Sequence, residues 1–206
     1  MPTQTATTRL TLEAVIAQIA TKPPDVQLVA MAALYQRYPH LKTATPVYQR
    51  SPEDHALYAA CRFDVALFTR TFLSHLCPSA FSSMHEDIFE RYRADAGTRG
   101  LRDVTAAPRQ FAKTTIIGKI KVIHDCVYQH ERYIVIISSR DDLAVDKVKD
   151  VRTELEGNEA LIRVYGPQVG PTWNMDDLIT SQGVRVRAVA RGTQARGLLW
   201  GKFRPT

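Results

Sequence analysis

Hydrophobic positions along the chain first follow a helical rhythm. Leu12, Val15, Ile16 and Ile19 recur three and four residues apart until Pro23-Pro24 stops the run, which predicts a short amphipathic helix over residues 9 to 21. Asp25 is placed to cap a second helix that carries Leu28, Val29, Ala32 and Leu34 to Tyr38, where Pro39 closes it. The polar, proline-containing stretch from Lys42 to Arg50 reads as a linker. Ser51 then stands as an N-cap before Pro52 at the first helical position. Beyond it, Phe63, Leu67, Phe68, Phe72 and Leu76 continue an apolar face to Cys77-Pro78, as one long helix or two short ones. A further start at Ser82-Ser83 sets Ile88, Phe89 and Tyr92 on one side until Ala96-Gly97-Thr98-Arg99-Gly100 interrupts the pattern.

The rhythm changes after Gly100. Val104-Thr105-Ala106 is a short β-prone stretch, and Tyr133 to Ser138 is an uninterrupted apolar run of strand length, as expected of a strand covered on both faces. Between them Lys113 to Gln129 suits a crossover helix, so the unit reads strand, loop, helix, strand. Asp141 is expected to cap the next helix, with Leu143, Val148, Val151 and Leu155 on one face and Gly157-Asn158 at its end. From Ile179 the pattern alternates. Gln182-Gly183 turns a hairpin, with Val184, Val186, Ala188 and Ala190 facing one way and Arg185, Arg187 and Arg191 the other.

Composition narrows the class. With 206 residues, 45% hydrophobic and 23% charged, the chain belongs with ordinary globular proteins and is long enough for one substantial core, or for a core plus a small helical appendage. A net charge of +6 favours a polyanion such as nucleic acid without requiring one. Cys61, Cys77 and Cys126 are scattered, so neither a disulfide framework nor a structural metal site is implied, and His124 with Cys126 makes a poor metal pair because a spacing of two points them to different helix faces. No run has the length of a membrane span and no signal peptide is evident, so a soluble, cytoplasmic protein is expected.

One segment carries candidate chemistry. Ala107-Pro108-Arg109-Gln110-Phe111-Ala112-Lys113-Thr114 fits the frame of a phosphate-binding loop except that alanine holds both glycine positions. It lies between a β-prone stretch and a helix start, where free backbone N–H groups and the helix dipole attract phosphate. In that reading Lys113 reaches the β- and γ-phosphates and the Thr114 hydroxyl helps hold Mg²⁺. The alternative is a Lys-Thr-Thr helix start on a solvated surface. His85 and Trp173 read as packing residues, Asp141-Asp142 as a helix-dipole pair, and Arg185, Arg187 and Arg191 as an exposed strand face or phosphate contacts.

The string Ala107 to Thr115 resembles the deviant Walker A loop of the large subunits of tailed-phage terminases, in which an arginine follows the proline. Further pieces occur in that family's order. They are Arg62-Phe63-Asp64 through Phe72-Leu73, the Met84-His85-Glu86-Asp87-Ile88 helix, the strand Tyr133 to Ser138, the helix ending Thr153-Glu154-Leu155-Glu156-Gly157-Asn158, the Gly166 turn, Trp173, the Gly183 to Val186 hairpin, and Arg196-Gly197-Leu198 before Arg204-Pro205.

The resemblance spans about residues 60 to 206. It implies an α/β fold: a partial P-loop NTPase sheet of the ASCE type with helices on both faces, preceded by an N-terminal helical region. Residues 1–50 would be a helical segment and linker, 51–100 a helical lead-in, and 101–206 a partial ATPase core.

By the same resemblance, Pro108, Arg109, Gln110, Phe111, Ala112, Lys113, Thr114 and Thr115 bind ATP, Thr114 holds Mg²⁺, and Arg109 and Arg196 are the catalytic arginines, the latter reaching a neighbouring subunit's nucleotide, the alternative for Arg196 being a surface or DNA-facing charge. Double-stranded DNA, a small terminase subunit and a portal protein are the implied partners. The intact family works as a homo-oligomer in the host cytoplasm, with no membrane. The chain stops at Thr206, before the family's Walker B strand and nuclease domain, so nucleotide contact with little turnover is expected. Marginal stability is expected too, with strand surface from Ile134 to Ile137 short of partners. The competing readings are another P-loop ATPase such as a helicase, and a non-catalytic basic module that binds DNA or a packaging partner.

Overall fold

A computed structural model of the chain describes residues 50–95, 98, 101–190 and 197–205. The helices expected over residues 9–21 and 25–38, and both Arg191 and Arg196, lie outside the described residues.

Ser51 caps the first described helix, α1 (Pro52–Cys61), by accepting the Asp54 backbone N–H at 3.1 Å, and Pro52 follows at the first helical position as the sequence predicts. Asp64 starts a second helix, α2 (Val65–Phe72), by accepting from Leu67 N at 2.8 Å, so the region forms two short helices and not one. A 3₁₀ turn over Ser74–Leu76 follows. The break rotates the apolar stripe. Phe68 and Phe72 are buried with Val65, whereas Phe63 and Leu67 face outward at 51% and 38% exposure. Helix α3 (Ser83–Ala94) buries Ile88 and Phe89 as expected.

Lys113–Thr115, a π-helical stretch Ile116–Ile120 and Lys121–Tyr128 run on as one helix, α4, which Gln129 ends in the left-handed conformation (φ 57°). Strand β1 (Tyr133–Ser138) leads to α5 (Asp141–Gly157) and the short α6 (Glu159–Tyr165). Arg140, and not Asp141, occupies the N-cap position of α5, so Asp141 and Asp142 sit in its first turn, where carboxylates complement the helix dipole. The sequence pattern missed α6. Its seven residues are too short for periodicity to register, although Asn158 caps it by accepting from Leu161 N at 3.2 Å.

Three further strands, β2 (Val169–Trp173), β3 (Asp177–Thr180) and β4 (Arg185–Ala190), complete a four-stranded mixed sheet in the order β1-β4-β3-β2. β4 pairs parallel with β1, Tyr133 opposite Arg185 and Ser138 opposite Ala190, and antiparallel with β3. Gly183, at φ 77°, turns the expected hairpin. Among the described residues β1 is an edge strand, and Ile137 on it is 57% exposed, so the anticipated burial of both its faces holds only in part. Val104-Thr105-Ala106 forms no strand, and Val104 is 86% exposed: among the described residues no neighbouring strand pairs with this stretch. No helix among the described residues is long and apolar enough to cross a membrane.

Helix α5 carries the packing of helices on the sheet, touching all four strands, and α4 packs behind it. One apolar core joins the helical lead-in to the α/β part, with Phe68, Leu73, Ile88, Ile123, Leu155, Leu161 and Val186 in a single cluster. Full burial of each such side chain contributes about 1.5 to 3 kcal/mol, which fixes α4 against α5 and so fixes where the loop before Lys113 emerges.

Candidate phosphate-binding loop

The residues from Ala107 to Ala112 fold as a tight loop that ends on the first turn of α4. Two of them, Gln110 (φ 69°) and Ala112 (φ 45°), take the left-handed conformation, which side chains other than glycine and asparagine seldom adopt. Ala112 occupies the N-cap position of α4, where its carbonyl accepts from Ile116 N at 2.9 Å. It also occupies the position at which the phosphate-loop frame has glycine. The left-handed backbone that glycine would supply is therefore present, at steric cost, in an alanine.

The Lys113 ammonium turns back over this loop. It donates to the carbonyl of Ala107 and, at 2.5 Å, to that of Pro108, so the loop wraps around its own lysine. Among the described residues no side chain caps this helix end, and the first-turn amides of an α-helix have no intrahelical acceptor. Loop, ammonium and amides thus meet at one place. The Thr114 side chain is exposed there, Thr115 is half-buried, and Arg109 is solvent-exposed.

Helix α3 holds the loop from outside. Ser82 N donates to His85 Nδ1 at 3.2 Å, which leaves the ring proton on Nε2, and Nε2 in turn donates to Phe111 O at 3.1 Å. Six residues further along α3, Arg91 donates to Asp103 at 3.0 Å and to the Thr105 hydroxyl at 3.1 Å. One helix therefore anchors both the approach to the loop and the loop itself. His85 packs edge-on against Phe81, with ring centroids 6.2 Å apart, as its sequence context suggested, and serves as a strut besides.

A π-helical segment follows directly, with Ile116 and Ile120 fully buried and Gly118 between them. Such segments disrupt the regular ladder and recur at functional sites. Within it Lys119 reaches Glu154 at 3.3 Å, and Glu154 also pairs with His75 at 2.9 Å, so α4 is tied to α5 and to the turn after α2.

Of the residues named from sequence, Pro108 to Thr115 lie together at this helix start, whereas Arg196 lies outside the described residues. Arg185 does not present a free charge to a polyanion. Its guanidinium grips both oxygens of Asp177, at 2.8 and 2.5 Å, and lies over the rings of Tyr133 and Trp200. Trp173 donates its indole N–H to Glu156 at 3.1 Å, a partner that residue type and spacing did not indicate.

Comparison with known proteins adds no family assignment: no family model matches the chain, and neither a curated protein nor a solved structure matches it.

Proposed function

We propose that this chain is the nucleotide-binding part of a viral DNA-packaging motor of the terminase large-subunit type, with the loop 107–112 and the start of α4 as its ATP site. The observation that carries the reading is the conformation of Ala112. A left-handed residue directly before a lysine that opens a helix, with that lysine curled over the preceding loop carbonyls, has a clear use if the loop encloses a phosphate chain. A plain surface helix start has no need of such a backbone, which is why the nucleotide reading is preferred to the solvated one.

The residues present fit a nucleotide triphosphate with its magnesium. Lys113 and the first-turn amides would hold phosphate oxygens, Thr114 would contribute the hydroxyl to Mg²⁺, and Arg109, exposed on the loop, would face the terminal phosphate. The magnesium would supply charge neutralisation between phosphates. The chain's own contribution is positioning: Lys113 leaves the Ala107 and Pro108 carbonyls for the ligand, and His85 and Arg91 keep the loop from collapsing when it does.

The test is thermal unfolding of the chain and of Lys113→Ala, each with and without Mg-ATP. At a ligand concentration one hundred times Kd, binding stabilises by about 2.7 kcal/mol. That amounts to roughly 5 to 10 °C for a chain of this size. A rise present in the wild type and lost in Lys113→Ala is the expected result. Equal, absent responses, together with salt-sensitive DNA binding, would replace this reading with that of a basic module that uses no nucleotide.

A further inference from the structure

The C-terminal end of α4 gathers a second group of polar side chains, remote in sequence from the loop. His124 and Asp125 occupy the last two turns of the helix. Gln129 then reverses the chain in the left-handed conformation, so that His130 N donates to Asp125 O at 3.1 Å and the His130 ring folds back beside them. One ligand-capable atom of each of His124, Asp125 and His130 lies within 4.8 Å of the other two. We propose that these three residues form a binding site for a borderline divalent cation of the Zn²⁺ or Co²⁺ class, a role independent of the nucleotide reading.

The argument starts from what is left unsatisfied. His124 is 1% exposed, and its Nε2–H is given to Cys61 O at 3.0 Å, which leaves Nδ1 as a bare lone pair with no partner among the described residues. His130 Nε2 is likewise buried without a partner among the described residues, while its Nδ1 stands 3.6 Å from Asp125 Oδ1. An unpaired buried polar atom costs about 1 to 3 kcal/mol, so two such nitrogens on histidine rings only 5.2 Å apart call for a reason. A cation supplies one. A ligating histidine characteristically donates its other ring N–H to a backbone carbonyl, which is the arrangement His124 already has with Cys61.

Two imidazoles and one carboxylate suit zinc, cobalt or nickel, whereas magnesium and calcium prefer all-oxygen sets. Bonds of about 2.0 Å place tetrahedral ligands about 3.3 Å apart, so the cluster must contract modestly. His130, past the helix end and half-buried, is the ligand able to move. Phe63 stacks on its outer side with centroids 5.7 Å apart, which gives that exposed phenylalanine a task and shields the site from water.

Lys121 is the competitor. Its ammonium binds both oxygens of Asp125, so a cation has to share or displace it.

Isothermal titration of Zn²⁺, and visible absorption of added Co²⁺, on metal-free chain carrying Cys77→Ser tests the site, because Cys61 and Cys126 are buried thiols that burial keeps protonated. One equivalent of tetrahedral Co²⁺ is expected, with at least about tenfold weaker binding in His130→Gln of unchanged circular dichroism. In Lys121→Gln, Zn²⁺ is expected to raise the melting temperature by more than in the parent. No saturable binding in the parent, parental affinity in His130→Gln, or an equal or smaller Zn²⁺ shift in Lys121→Gln each overturns the proposal.

Discussion

His85 Nε2 lies 3.1 Å from the carbonyl oxygen of Phe111, and through this one contact helix α3 grips the loop that precedes Lys113. The same ring accepts the Ser82 amide, so a single imidazole serves both as helix cap and as loop anchor. Replacing it by alanine is expected to cost about 1 to 2 kcal/mol of stability, the usual loss for a cap and a neutral hydrogen bond. The sharper readout is local. Amide hydrogen exchange over residues 107–115 should speed up in His85→Ala more than exchange in α5, and uniform acceleration would show that the contact stabilises the fold and not the loop.

A close approach of backbones sets a second expectation. Gly170 lies where β2 bulges against β3, and a Cβ built on it would fall 2.0 Å from Ile179 O and 2.6 Å from the Thr180 carbonyl carbon. Both obstacles are main chain, so no side-chain rearrangement relieves them. Gly170→Ala should destabilise by about 3 kcal/mol, at the upper end for overpacking. In a chain of this size that lowers the melting temperature by roughly 6 to 12 °C. A loss under 1 kcal/mol would mean that the β2 edge moves away freely.

The parts of this fold that were legible from sequence are those where a local signal and the packed structure ask for the same thing. Ser51 before Pro52, the apolar run of β1, the Lys113 helix start and the Gly183 turn are cases of that kind, because capping, burial and φ are decided within a few residues. Strand β2 was not legible, since Gly170-Pro171 reads as a turn and the strand exists only through its pairing with β3. Val104 to Ala106 erred in the opposite sense: β propensity is realised only where a neighbour offers hydrogen bonds. The loop residues were found from their order in the sequence, but the struts His85 and Arg91 were not, because their partners are 26 and 12 to 14 residues away. The grouping of His124 and Asp125 with His130 depends on one left-handed residue, Gln129, that no periodicity announces.

Glu154 gives the fold a defined acid sensitivity. Its carboxylate is 8% exposed and meets His75 Nε2 at 2.9 Å, Lys119 Nζ at 3.3 Å and Asn158 Nδ2 at 3.3 Å. Burial by itself would raise its pKa, but the His75 and Asn158 hydrogen bonds and the charges of His75 and Lys119 prevail and hold it below its ordinary value of 4.5. A carboxylate whose folded-state pKa is depressed contributes stability that is fully present above the ordinary value and is lost as pH falls through the depressed one. Glu154→Gln should therefore be less stable than wild type at pH 7 by about 1 to 3 kcal/mol. The gap should close as pH drops below the ordinary carboxylate range, and a gap that persists undiminished at pH 3 would assign the loss to packing instead.

The left-handed alanine before Lys113 allows backbone and side chain to be tested apart. At φ 45° and ψ 17°, Ala112 bears a steric cost of roughly 1 to 2 kcal/mol that glycine would not bear. Glycine also enlarges the unfolded ensemble, which returns about 0.4 to 1 kcal/mol of that gain. Ala112→Gly should thus be neutral to about 1 kcal/mol stabilising, whereas Ala112→Val, β-branched in the same conformation, should destabilise by more than 1 kcal/mol. Chemical denaturation of the three chains gives the order. If the loop is shaped for phosphate, Mg-ATP affinity should follow that same order, glycine at least equal to alanine and valine weakest, because each substitution changes only how readily the chain takes up the conformation that Lys113 closes. An Ala112→Gly variant that is more stable yet binds nucleotide less tightly would mean that the rigidity of alanine, and not the left-handed turn itself, preorganises the site.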